Sequence, residues 1–289
     1  MNRTVIISGA STGIGQAIAL DLDARGFRVF AGVRRDSDGD ALRAQASDRL
    51  TPLMLDVTDA DSIEAAARSV ESAAGDAGLH GVINNAGIGM GAVEEFVDLD
   101  EMRRLFEVNV FGVLATTRAF LPLVRRAHGR IVHIGSMGGF LTSPFLTPYS
   151  ATKHAIEAFA DGLRRELRPW GLHVALVEPG SVQTPIWKKG AHEAERMRKR
   201  LPARGEALYG AALDAYLRYA AARGAGGVAP ERVAEAVHHA LTATRPRTRY
   251  RVGRDAKLMW WVSRLLPDRA LDALVERSLR LPRSSSDDA

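Results

Sequence analysis

Tyr149 and Lys153 are the two residues of this 289-residue chain whose types and spacing most directly indicate chemistry. In a helix, side chains four positions apart lie on one face and close together. A free tyrosine titrates at a pH of about 10 and is a poor base at neutral pH, but a nearby ammonium group favours the phenolate. The pair could therefore transfer a proton in a reaction at neutral pH, or it could be an ordinary surface pair.

A serine precedes this pair. Ser136 lies thirteen residues before Tyr149, directly after the apolar run 130–135 that predicts a strand. Its hydroxyl could hydrogen-bond a substrate oxygen while charge moves between a carbonyl and an alkoxide. The residues expected around the substrate pocket are mostly apolar, which favours a lipophilic substrate: Ser136, Met137, Phe140, Phe145, Tyr149 and Trp187. Leu141 and Leu146, from the same stretch, more simply pack the edge of the sheet.

A glycine-rich turn follows the first predicted strand and precedes a helical segment. Its spacing is Gly-x-x-x-Gly-x-Gly, formed by Gly9, Gly13 and Gly15. Without side chains, such a turn can be tight and can bring a pyrophosphate close to the backbone N–H groups at the positive end of the helix. The alternative is a turn that serves packing alone.

The end of the second predicted strand bears on which dinucleotide would fit this turn. NAD-binding proteins of this architecture usually carry an acidic residue there, but no acid stands at Val33, and Arg34 and Arg35 follow. Arginines can neutralise a 2′-phosphate, which favours NADP(H) over NAD(H), or they could simply be solvated. Asp56, after the third strand, could accept a hydrogen bond from an adenine amino group or cap the next helix.

The elements that must position these residues are read from apolar runs of strand length that alternate with helix-length segments. The six predicted strands are Val5–Ser8, Arg28–Val33, Pro52–Leu55, Gly81–Asn84, Arg130–Gly135 and Leu172–Val177. The alternation predicts an α/β fold, a single-domain Rossmann-type doubly wound parallel sheet with helices on both faces. The glycine turn, Arg34 and Ser136 would each follow the end of a strand.

Several helix ends can also be predicted. Gly26 would stop the first helix after Ile14–Arg25, and Thr58 with Asp61 has the spacing of a capping box. Pro230 stands where the first residue of a later helix is expected.

The domain organisation follows from where this alternation is interrupted. The charged run 188–200 and the glycine-rich segment 224–227 delimit an insertion, about 185–228, which we interpret as a flexible helical flap over the substrate site. The whole of 1–289, with this insertion, reads as one domain, and the small polar tail 284–289 is expected to be frayed.

Composition narrows the class of protein. With 46% apolar and 25% charged residues, the chain has the make-up of an ordinary globular protein. It contains no cysteine, which excludes disulfides, thiolate nucleophiles and cysteine-held clusters, so any redox chemistry needs a borrowed cofactor. The net charge of +5 permits acidic ligands such as phosphates. No metal is expected, because the histidines have no spacing that indicates a site: His133, His154, His173, His238 and His239.

The same reading gives an expectation about location. No charged-then-apolar leader precedes Val5, and no run approaches the roughly 18 apolar residues that cross a bilayer. We therefore expect a cytoplasmic protein without a membrane span.

Taken together, the glycine turn and the Tyr149-x-x-x-Lys153 pair resemble the short-chain dehydrogenase/reductase family, in the expected order from Val5 to about Thr184. The resemblance implies that Tyr149 is the general acid/base, that Lys153 lowers its pKa and binds the nicotinamide ribose, and that Ser136 orients the carbonyl. Asn109, in the stretch Glu107–Val110, matches the family residue that helps to hold a water in a proton relay.

The resemblance also assigns cofactor contacts. Asn84–Gly87 looks like the family turn beside the cofactor, and Pro179–Thr184 like the loop that meets the nicotinamide and pyrophosphate. The expected cofactor residues are Gly9, Ser11, Thr12, Gly13, Ile14, Gly15, Arg34, Arg35, Asp56, Val57, Asn85, Ala86, Gly87, Tyr149, Lys153, Pro179, Gly180, Val182 and Thr184.

Two positions depart from the family pattern. Ser8 stands where the family usually has threonine, which keeps the hydroxyl. The stretch Ala10–Thr12 lacks the basic residue that NADP-dependent members often carry, which leaves Arg34 as the main support for NADP(H).

The expected activity is hydride transfer between NADP(H) and a lipophilic ketone, aldehyde or secondary alcohol, of steroid, retinoid or fatty-chain type. The segments Tyr250–Gly253 and Lys257–Trp261 look similar to the branch with hydroxysteroid and retinol dehydrogenases. A non-catalytic dinucleotide-sensing regulatory or scaffold protein is the alternative, because fold does not determine function.

Expectations about partners are of three kinds. By analogy with the family, a homodimer or homotetramer would form through helices around Met102–Phe120 and Tyr149–Arg168. The stripe Lys257–Leu266 could lie on a membrane surface, close the pocket or pack against a second subunit. No nucleic acid is expected, since a solvated flap explains the basic cluster and its neighbouring acids: Glu193, Glu195, Arg196, Arg198, Lys199 and Arg200.

Overall fold

A seven-stranded parallel sheet organises the part of the chain that the computed structural model describes, residues 3–184 and 195–282. The strands are β1 (Thr4–Ile7), β2 (Arg28–Val33), β3 (Leu50–Met54), β4 (Gly81–Asn84), β5 (Arg130–Ile134), β6 (His173–Pro179) and β7 (Arg249–Val252). Their order in the sheet is β3-β2-β1-β4-β5-β6-β7. The predicted α/β fold with a doubly wound parallel sheet is confirmed.

Ten helices of at least eight residues accompany these strands in the described ranges. They are α1 (Gly13–Ala24), α2 (Asp36–Arg43), α3 (Ala60–Ala74), α4 (Leu99–Phe106), α5 (Gly112–Arg126), α6 (Thr147–Leu167), α7 (Ala203–Ala225), α8 (Glu231–Thr242), α9 (Arg254–Leu265) and α10 (Asp268–Leu279).

The strand order reverses at β1, which pairs with β2 on one side and β4 on the other. Val5 lies opposite Val29 of β2 and Gly81 of β4 in parallel register. In open α/β sheets, ligands bind outside the carboxyl ends of the strands at such a reversal. The glycine turn after β1 therefore lies where a ligand crevice is expected.

The core has one apolar layer on each side of the sheet. On one side, Ile7 and Val132 pack with Ile18 of α1 and Val237 of α8. On the other, the strands meet α3, α5 and α6 through side chains that include Phe120, Leu176 and Ile156. Full burial of each such side chain stabilises the fold by about 1.5 to 3 kcal/mol, so the apolar layers on both faces of the sheet contribute to stability.

The seventh strand was not predicted. In β7 the buried Tyr250 and Val252 alternate with the half-buried Arg249 and Arg251. The strand pairs with β6 at the edge of the sheet. Its arginines interrupt the apolar run, and their acidic partners are brought close only when the chain folds.

Helix ends follow the predictions in part. Gly26 has φ +84°, and the N–H groups of Gly26 and Phe27 bond Asp23 and Leu22, so the glycine stops α1 as predicted. The capping box of Thr58 with Asp61 is wrong, because Asp59 caps α3 by accepting a hydrogen bond from the Asp61 N–H at 3.0 Å.

The later helix α8 also begins one residue beyond its predicted start. Pro230 occupies the N-cap position, and Glu231 is the first helical residue. The proline therefore precedes the first turn and does not belong to it.

A turn of π-helix joins α4 to α5 at Glu107–Phe111 and makes one helical run of Leu99–Arg126. By length and composition alone this run could cross a membrane, so the expectation that no segment is apolar enough was too strict. However, 56% of its apolar window is buried inside the protein, where Phe120 and Val124 join the core.

The predicted flap contributes α7, whose Ala203 start lies after a helical stretch at 195–200. Trp187 lies outside the described residues. Contacts that join the described part of this segment to the body include the packing of Tyr216 on Phe145 and the hydrogen bond that the Val228 N–H donates to the Ser181 carbonyl at 2.9 Å.

Candidate active site

The glycine turn between β1 and α1 requires its glycines for two different reasons. Gly9 and Gly13 have φ values of +68° and +61°, which side-chain-bearing residues rarely adopt. Gly15 is required by close approach, because an added Cβ would lie 2.1 Å from the Gly9 carbonyl oxygen. Thr12 precedes α1 without a side-chain capping bond, which leaves the first N–H groups of the helix available to an anion.

The hydroxyl of Ser8 connects this turn to the turn after β4. Its oxygen accepts hydrogen bonds from the N–H groups of Asn85 and Ala86, both at 3.1 Å. In return, the Asn85 side-chain amide donates to the carbonyls of Ser8 and Gly9 at 3.0 and 2.8 Å. Serine thus supplies the hydroxyl that threonine gives in the family, and the two turns form one rigid unit.

The two arginines after β2 have different surroundings. Arg35 makes a bidentate pair with Asp38, at 2.9 and 2.8 Å. Arg34 is exposed and makes no hydrogen bond or ion pair with the part of the chain that the structure describes. Of the two predicted phosphate ligands, Arg34 is therefore the one whose guanidinium is available.

Asp56 and Val57 follow β3 at the same edge. Oδ1 of Asp56 accepts from the N–H and hydroxyl of Thr58 at 2.9 and 2.7 Å, so Asp56 is not the helix cap. Partial burial acts to raise the pKa of Asp56, but these bonds and the charges of Arg34 and Arg104 outweigh it and lower that pKa. Val57 is buried against Gly112, which leaves its backbone as the part that could meet a ligand.

Tyr149 and Lys153 lie on α6, as their spacing predicts. The Lys153 Nζ is 5.7 Å from the centre of the Tyr149 ring and donates a hydrogen bond to the Ile134 carbonyl at 3.0 Å. Lys153 is buried, with 8% of its surface exposed.

Ser136 and Tyr149 both lie beside Gly138. Ser136 follows the end of β5 by two residues and caps a single 3-10 turn at Met137–Gly139, where its Oγ accepts from the Gly138 N–H at 3.0 Å. A Cβ added to Gly138 would lie 3.4 Å from Cε1 of Tyr149 and 3.5 Å from Oγ of Ser136. Gly138 therefore lies between the serine hydroxyl and the tyrosine ring.

Asn109 is placed by the π-helical turn and reaches the same site. Its Oδ1 accepts from the Ile88 N–H at 2.8 Å, and its Nδ2 donates to the Ile88 carbonyl at 2.9 Å and to Thr152 Oγ1 at 3.1 Å. A Cβ on Gly87 would lie 3.4 Å from Asn109 Oδ1 and 3.9 Å from Lys153 Nζ. The residue looks like an ordinary polar residue inside a helix, but it is 1% exposed and stands beside Lys153.

The loop after β6 is held by a residue that sequence reasoning missed. Asp255, at the start of α9, accepts a hydrogen bond from the Ser181 N–H at 2.8 Å and pairs with Arg223 of α7 at 2.8 Å. A Cβ on Gly180 would lie 2.1 Å from its carboxylate. In the sequence, the only sign of this residue was the stretch Asp-Ala-Lys, which begins two residues after Gly253.

The other predicted residues of this loop lie where it leaves the sheet. Pro179 ends β6, Val182 bridges to Val228 in parallel, and Thr184 is half-buried at the limit of the first described range. The loop therefore connects the carboxyl edge of the sheet to the flap.

A second group that sequence reasoning missed is a buried polar layer beneath the site. The Asn84 amide donates to Thr117 Oγ1 at 2.8 Å and lies 3.1 Å from His133 Nδ1. Burial and the charge of Lys153 lower the pKa of His133 to about 4, so this imidazole is neutral at pH 7. In the sequence, the signal for this polar layer was a histidine inside an otherwise apolar strand.

The described part of the predicted substrate pocket is apolar. Met137, Phe140 and Phe145 are half-buried; Met137 and Phe140 belong to the turn that follows Ser136, and the Phe145 ring lies 5.5 Å from Tyr216 of α7. Phe145 has φ +64°, a left-handed conformation that is strained for an aromatic residue. Burial raises the pKa of Tyr216 to about 12, so this phenol stays neutral beside Phe145.

The glycine turn at the point of strand reversal, with Ser136, Tyr149, Lys153 and Asn109 at the same edge, defines a Rossmann-type oxidoreductase. Residues 3–195 match the family model of short chain dehydrogenases, and the chain belongs to that family.

Its relatives include named dehydrogenases of retinoids and steroids. Retinol dehydrogenase 5 of Mus musculus is 38% identical over 287 residues, which cover 97% of this chain and 90% of that protein. The 17-beta-hydroxysteroid dehydrogenase type 6 of Bos taurus is 38% identical over 288 residues, with the same 97% and 90% coverage.

Solved structures share the fold over almost the whole chain. A short-chain dehydrogenase from Streptomyces avermitilis is 29% identical with a TM-score of 0.73, and covers 97% of this chain and 98% of its own. A short chain dehydrogenase from Burkholderia cenocepacia J2315, solved in complex with NADP, is 25% identical with a TM-score of 0.71 and the same 97% and 98% coverage.

Proposed function

We propose that this oxidoreductase transfers a hydride between NADP(H) and a lipophilic ketone, aldehyde or secondary alcohol, with Tyr149 as general acid/base. The observation that carries the proposal is that four predicted catalytic residues meet at two glycines beyond the carboxyl edge of the sheet. Ser136 and Tyr149 lie beside Gly138, while Asn109 and Lys153 lie beside Gly87.

The chemistry divides between cofactor and protein. The nicotinamide, when bound, supplies or accepts the hydride. In the direction of reduction, the Tyr149 hydroxyl gives its proton to the carbonyl oxygen while Ser136 Oγ hydrogen-bonds that oxygen. The tyrosine is left as a phenolate, which the neighbouring Lys153 ammonium stabilises.

Lys153 and Asn109 are suited to return a proton to Tyr149. An ammonium group has three N–H donors, and the bond to Ile134 occupies one of them, so the others remain for a ribose hydroxyl or a water. Asn109 Oδ1 has a second lone pair near Gly87 beyond its bond to Ile88, where it could accept from that water.

The preference for NADP(H) rests on Arg34. Its guanidinium stands after β2 near the negative charge of Asp56, whereas Arg35 is paired with Asp38. The glycine turn and the uncapped start of α1 would hold the pyrophosphate, and the turn Asn85–Gly87 would pass beside the nicotinamide half.

The substrate class is supported by the apolar wall and by the relatives. Met137 and Phe140 next to Ser136, with Phe145 beside Tyr216, would offer a substrate shape and bulk and few polar groups. The relatives named as retinol and 17-beta-hydroxysteroid dehydrogenases act on lipophilic molecules by those names. A retinoid or steroid carbonyl or alcohol is therefore the first substrate to assay.

A binding experiment with a matched pair of variants tests the cofactor assignment. The dissociation constants of NADPH and NADH are measured for the wild type, Arg34→Ala and Arg35→Ala. Loss of a charge-assisted contact to phosphate should weaken NADPH binding by about tenfold or more in Arg34→Ala, with NADH unchanged. Arg35→Ala should bind both like the wild type, and equal weakening of NADH and NADPH would contradict the assignment.

Turnover of a retinoid or steroid carbonyl by Tyr149→Phe tests the acid/base role. We expect a loss of about 100-fold or more in kcat with NADPH binding retained. A wild type that binds NADPH but turns over no carbonyl or alcohol substrate would favour the sensing or scaffold alternative.

A further inference from the structure

A buried charged cluster joins α6 to the last two strands of the sheet. Oε2 of Glu157, on α6, accepts from Nε and Nη2 of Arg249 at 3.0 and 2.8 Å. Glu178, on β6 and 1% exposed, lies 3.5 Å from Arg249 Nε and 3.1 Å from Arg251 Nε. These four residues come from three elements, and none of them has a role in the mechanism above.

The cluster touches the turn that carries Ser136. Glu157 lies on the face of α6 that holds Tyr149 and Lys153, since the three residues are spaced by four. A Cβ added to Gly139 would lie 3.1 Å from Glu157 Oε1 and 3.1 Å from the Lys153 carbonyl. The glutamate carboxylate therefore packs directly on the last residue of the Ser136–Gly139 turn.

The opposite end of the cluster is fixed as well. The Arg251 guanidinium lies 3.9 Å from the centre of the Trp260 ring on α9. Glu178 stands two residues before Gly180, where the chain leaves β6 for the loop held by Asp255. The charged cluster thus has anchors on α6, β6, β7 and α9.

The two carboxyl groups of the cluster interact with each other as well as with the arginines. Burial and the neighbouring Glu157 raise the pKa of Glu178 to about 8. Oε1 of Glu157 is buried and has no hydrogen-bond partner among the described residues, so a proton shared by the two carboxyls would supply its donor. Other charged groups that face the cluster are Asp161 and Arg164 of α6 and Arg264 of α9, which lies over Trp260.

We infer that Glu157 is a positioning residue for the reaction. Anchored by Arg249, its carboxylate keeps the Ser136–Gly139 turn against α6, which maintains the spacing of Ser136 and Tyr149 around Gly138. Misplacement of a reacting group by a fraction of an ångström is costly in rate, so the anchor acts on kcat more than on binding. This inference rests on the proposed function, because turnover is its readout.

The test compares Glu157→Gln with Asp161→Asn. Both substitutions remove one carboxylate of α6 that faces Arg249, but Asp161 lies one turn further from Tyr149. With a retinoid or steroid carbonyl and NADPH, we expect kcat of Glu157→Gln to fall by about tenfold while KM and the dissociation constant of NADPH change by less than about twofold. Asp161→Asn should keep kcat within about twofold of the wild type.

Gly139→Ala tests the same contact without removal of a charge. Its new Cβ would press on Glu157 Oε1, so kcat should fall as in Glu157→Gln. The double variant should lose little more than either single variant, because both break one contact. If Glu157→Gln does not fold, Gly139→Ala alone still tests whether this contact positions Ser136.

The contrary outcomes are distinct. Equal losses of kcat in Glu157→Gln and Asp161→Asn, or a lower melting temperature with unchanged kcat, would overturn the positioning role while the proposed function stands. A wild type without turnover, under conditions where it binds NADPH, would overturn both.

Discussion

The turns after β1 and β4 and the loops after β5 and β6 are held in place by different forces. At the first pair, Ser8, Asn85 and the glycines join two turns through short, neutral hydrogen bonds to backbone groups. At the second pair, ion pairs between carboxylates and guanidinium groups support the loops, namely Glu157 with Arg249 and Asp255 with Arg223. The proposed cofactor end is therefore rigid by backbone geometry, and the substrate end depends on charge.

This difference has a functional consequence. Neutral backbone contacts are insensitive to pH and salt, whereas half-buried ion pairs respond to both. Under the proposed function, the first pair would hold a pyrophosphate in one fixed shape, while the second pair would border a pocket for bulky molecules. Substitutions in the two regions should therefore respond differently to salt and pH.

Gly15→Ala should have the largest effect. Its Cβ would lie 2.1 Å from the Gly9 carbonyl, so the turn must deform and NADPH binding should weaken by about 100-fold or more. Gly162→Ala is the control, since nothing lies within 4 Å of its added Cβ in the middle of α6, and it should stabilise the helix by up to about 1 kcal/mol. Titration calorimetry with NADPH and urea unfolding measure the two quantities; retention of tight binding by Gly15→Ala would show that the turn is not rigid.

Ser8→Ala should have the next largest effect, on the free energy of unfolding. It leaves the N–H groups of Asn85 and Ala86 without their acceptor in the interior, with an expected loss of about 2 to 3 kcal/mol in the free energy of unfolding. Ser8→Thr keeps the oxygen and should stay within about 1 kcal/mol of the wild type. The loss in Ser8→Ala should be the same at low and high salt, and a strong salt dependence would contradict a neutral clamp.

Asp255→Asn should show the opposite salt behaviour. The amide oxygen can still accept from the Ser181 N–H, but the ion pair with Arg223 is lost, which should lower the free energy of unfolding by about 1 to 2 kcal/mol. Arg223→Gln should match it, and both differences from the wild type should shrink in molar salt. If either variant keeps its full deficit at high salt, charge is not what holds this loop.

Glu178→Gln should change the pH dependence of stability by a smaller amount. The carboxyl titrates at 4.5 in its ordinary state and at about 8 in the folded protein, so the folded state binds the extra proton between these values. Stability from this group is therefore complete below about 4.5 and is lost as the pH rises toward 8. Glutamine mimics the protonated carboxyl, so the melting temperature of the variant should exceed that of the wild type by a few degrees, with a difference that grows from pH 5.5 to pH 8.5.

Glu166→Gln is the control for this titration, because Glu166 is exposed near the end of α6. Its difference from the wild type should not vary with pH. A pH-independent difference in Glu178→Gln as well would mean that Glu178 is ionised throughout, and that the cluster holds no shared proton.

The residues that could be predicted from the sequence are those whose structural role depends on neighbours within a few positions. Gly9, Gly13 and Gly15 report a turn because only glycine tolerates their backbone angles and contacts, and the turn lies where the spacing placed it. The six apolar strands and the stop at Gly26 were found for the same reason, since burial and helix ends leave patterns within a few residues.

The residues that could not be predicted have partners far away in the chain. Glu157 meets Arg249 across 92 positions, and Ser181 meets Asp255 across 74. Asn109 could be predicted only through the family resemblance, because by its own sequence context it looks like an ordinary polar residue in a helix. The strand β7 was not predicted because its arginines interrupt the apolar pattern.

By itself, the amino-acid sequence determined the α/β architecture, the glycine turn and the pairing of Tyr149 with Lys153 on one helix face. Only tertiary packing places Asn109 and Lys153 on either side of Gly87 and brings the Glu157–Arg249 ion pair against the Ser136 turn. The reason is physical: backbone angles and helix periodicity act over a few residues, whereas the partner of a buried charge is chosen by packing between elements that the chain brings together only when it folds.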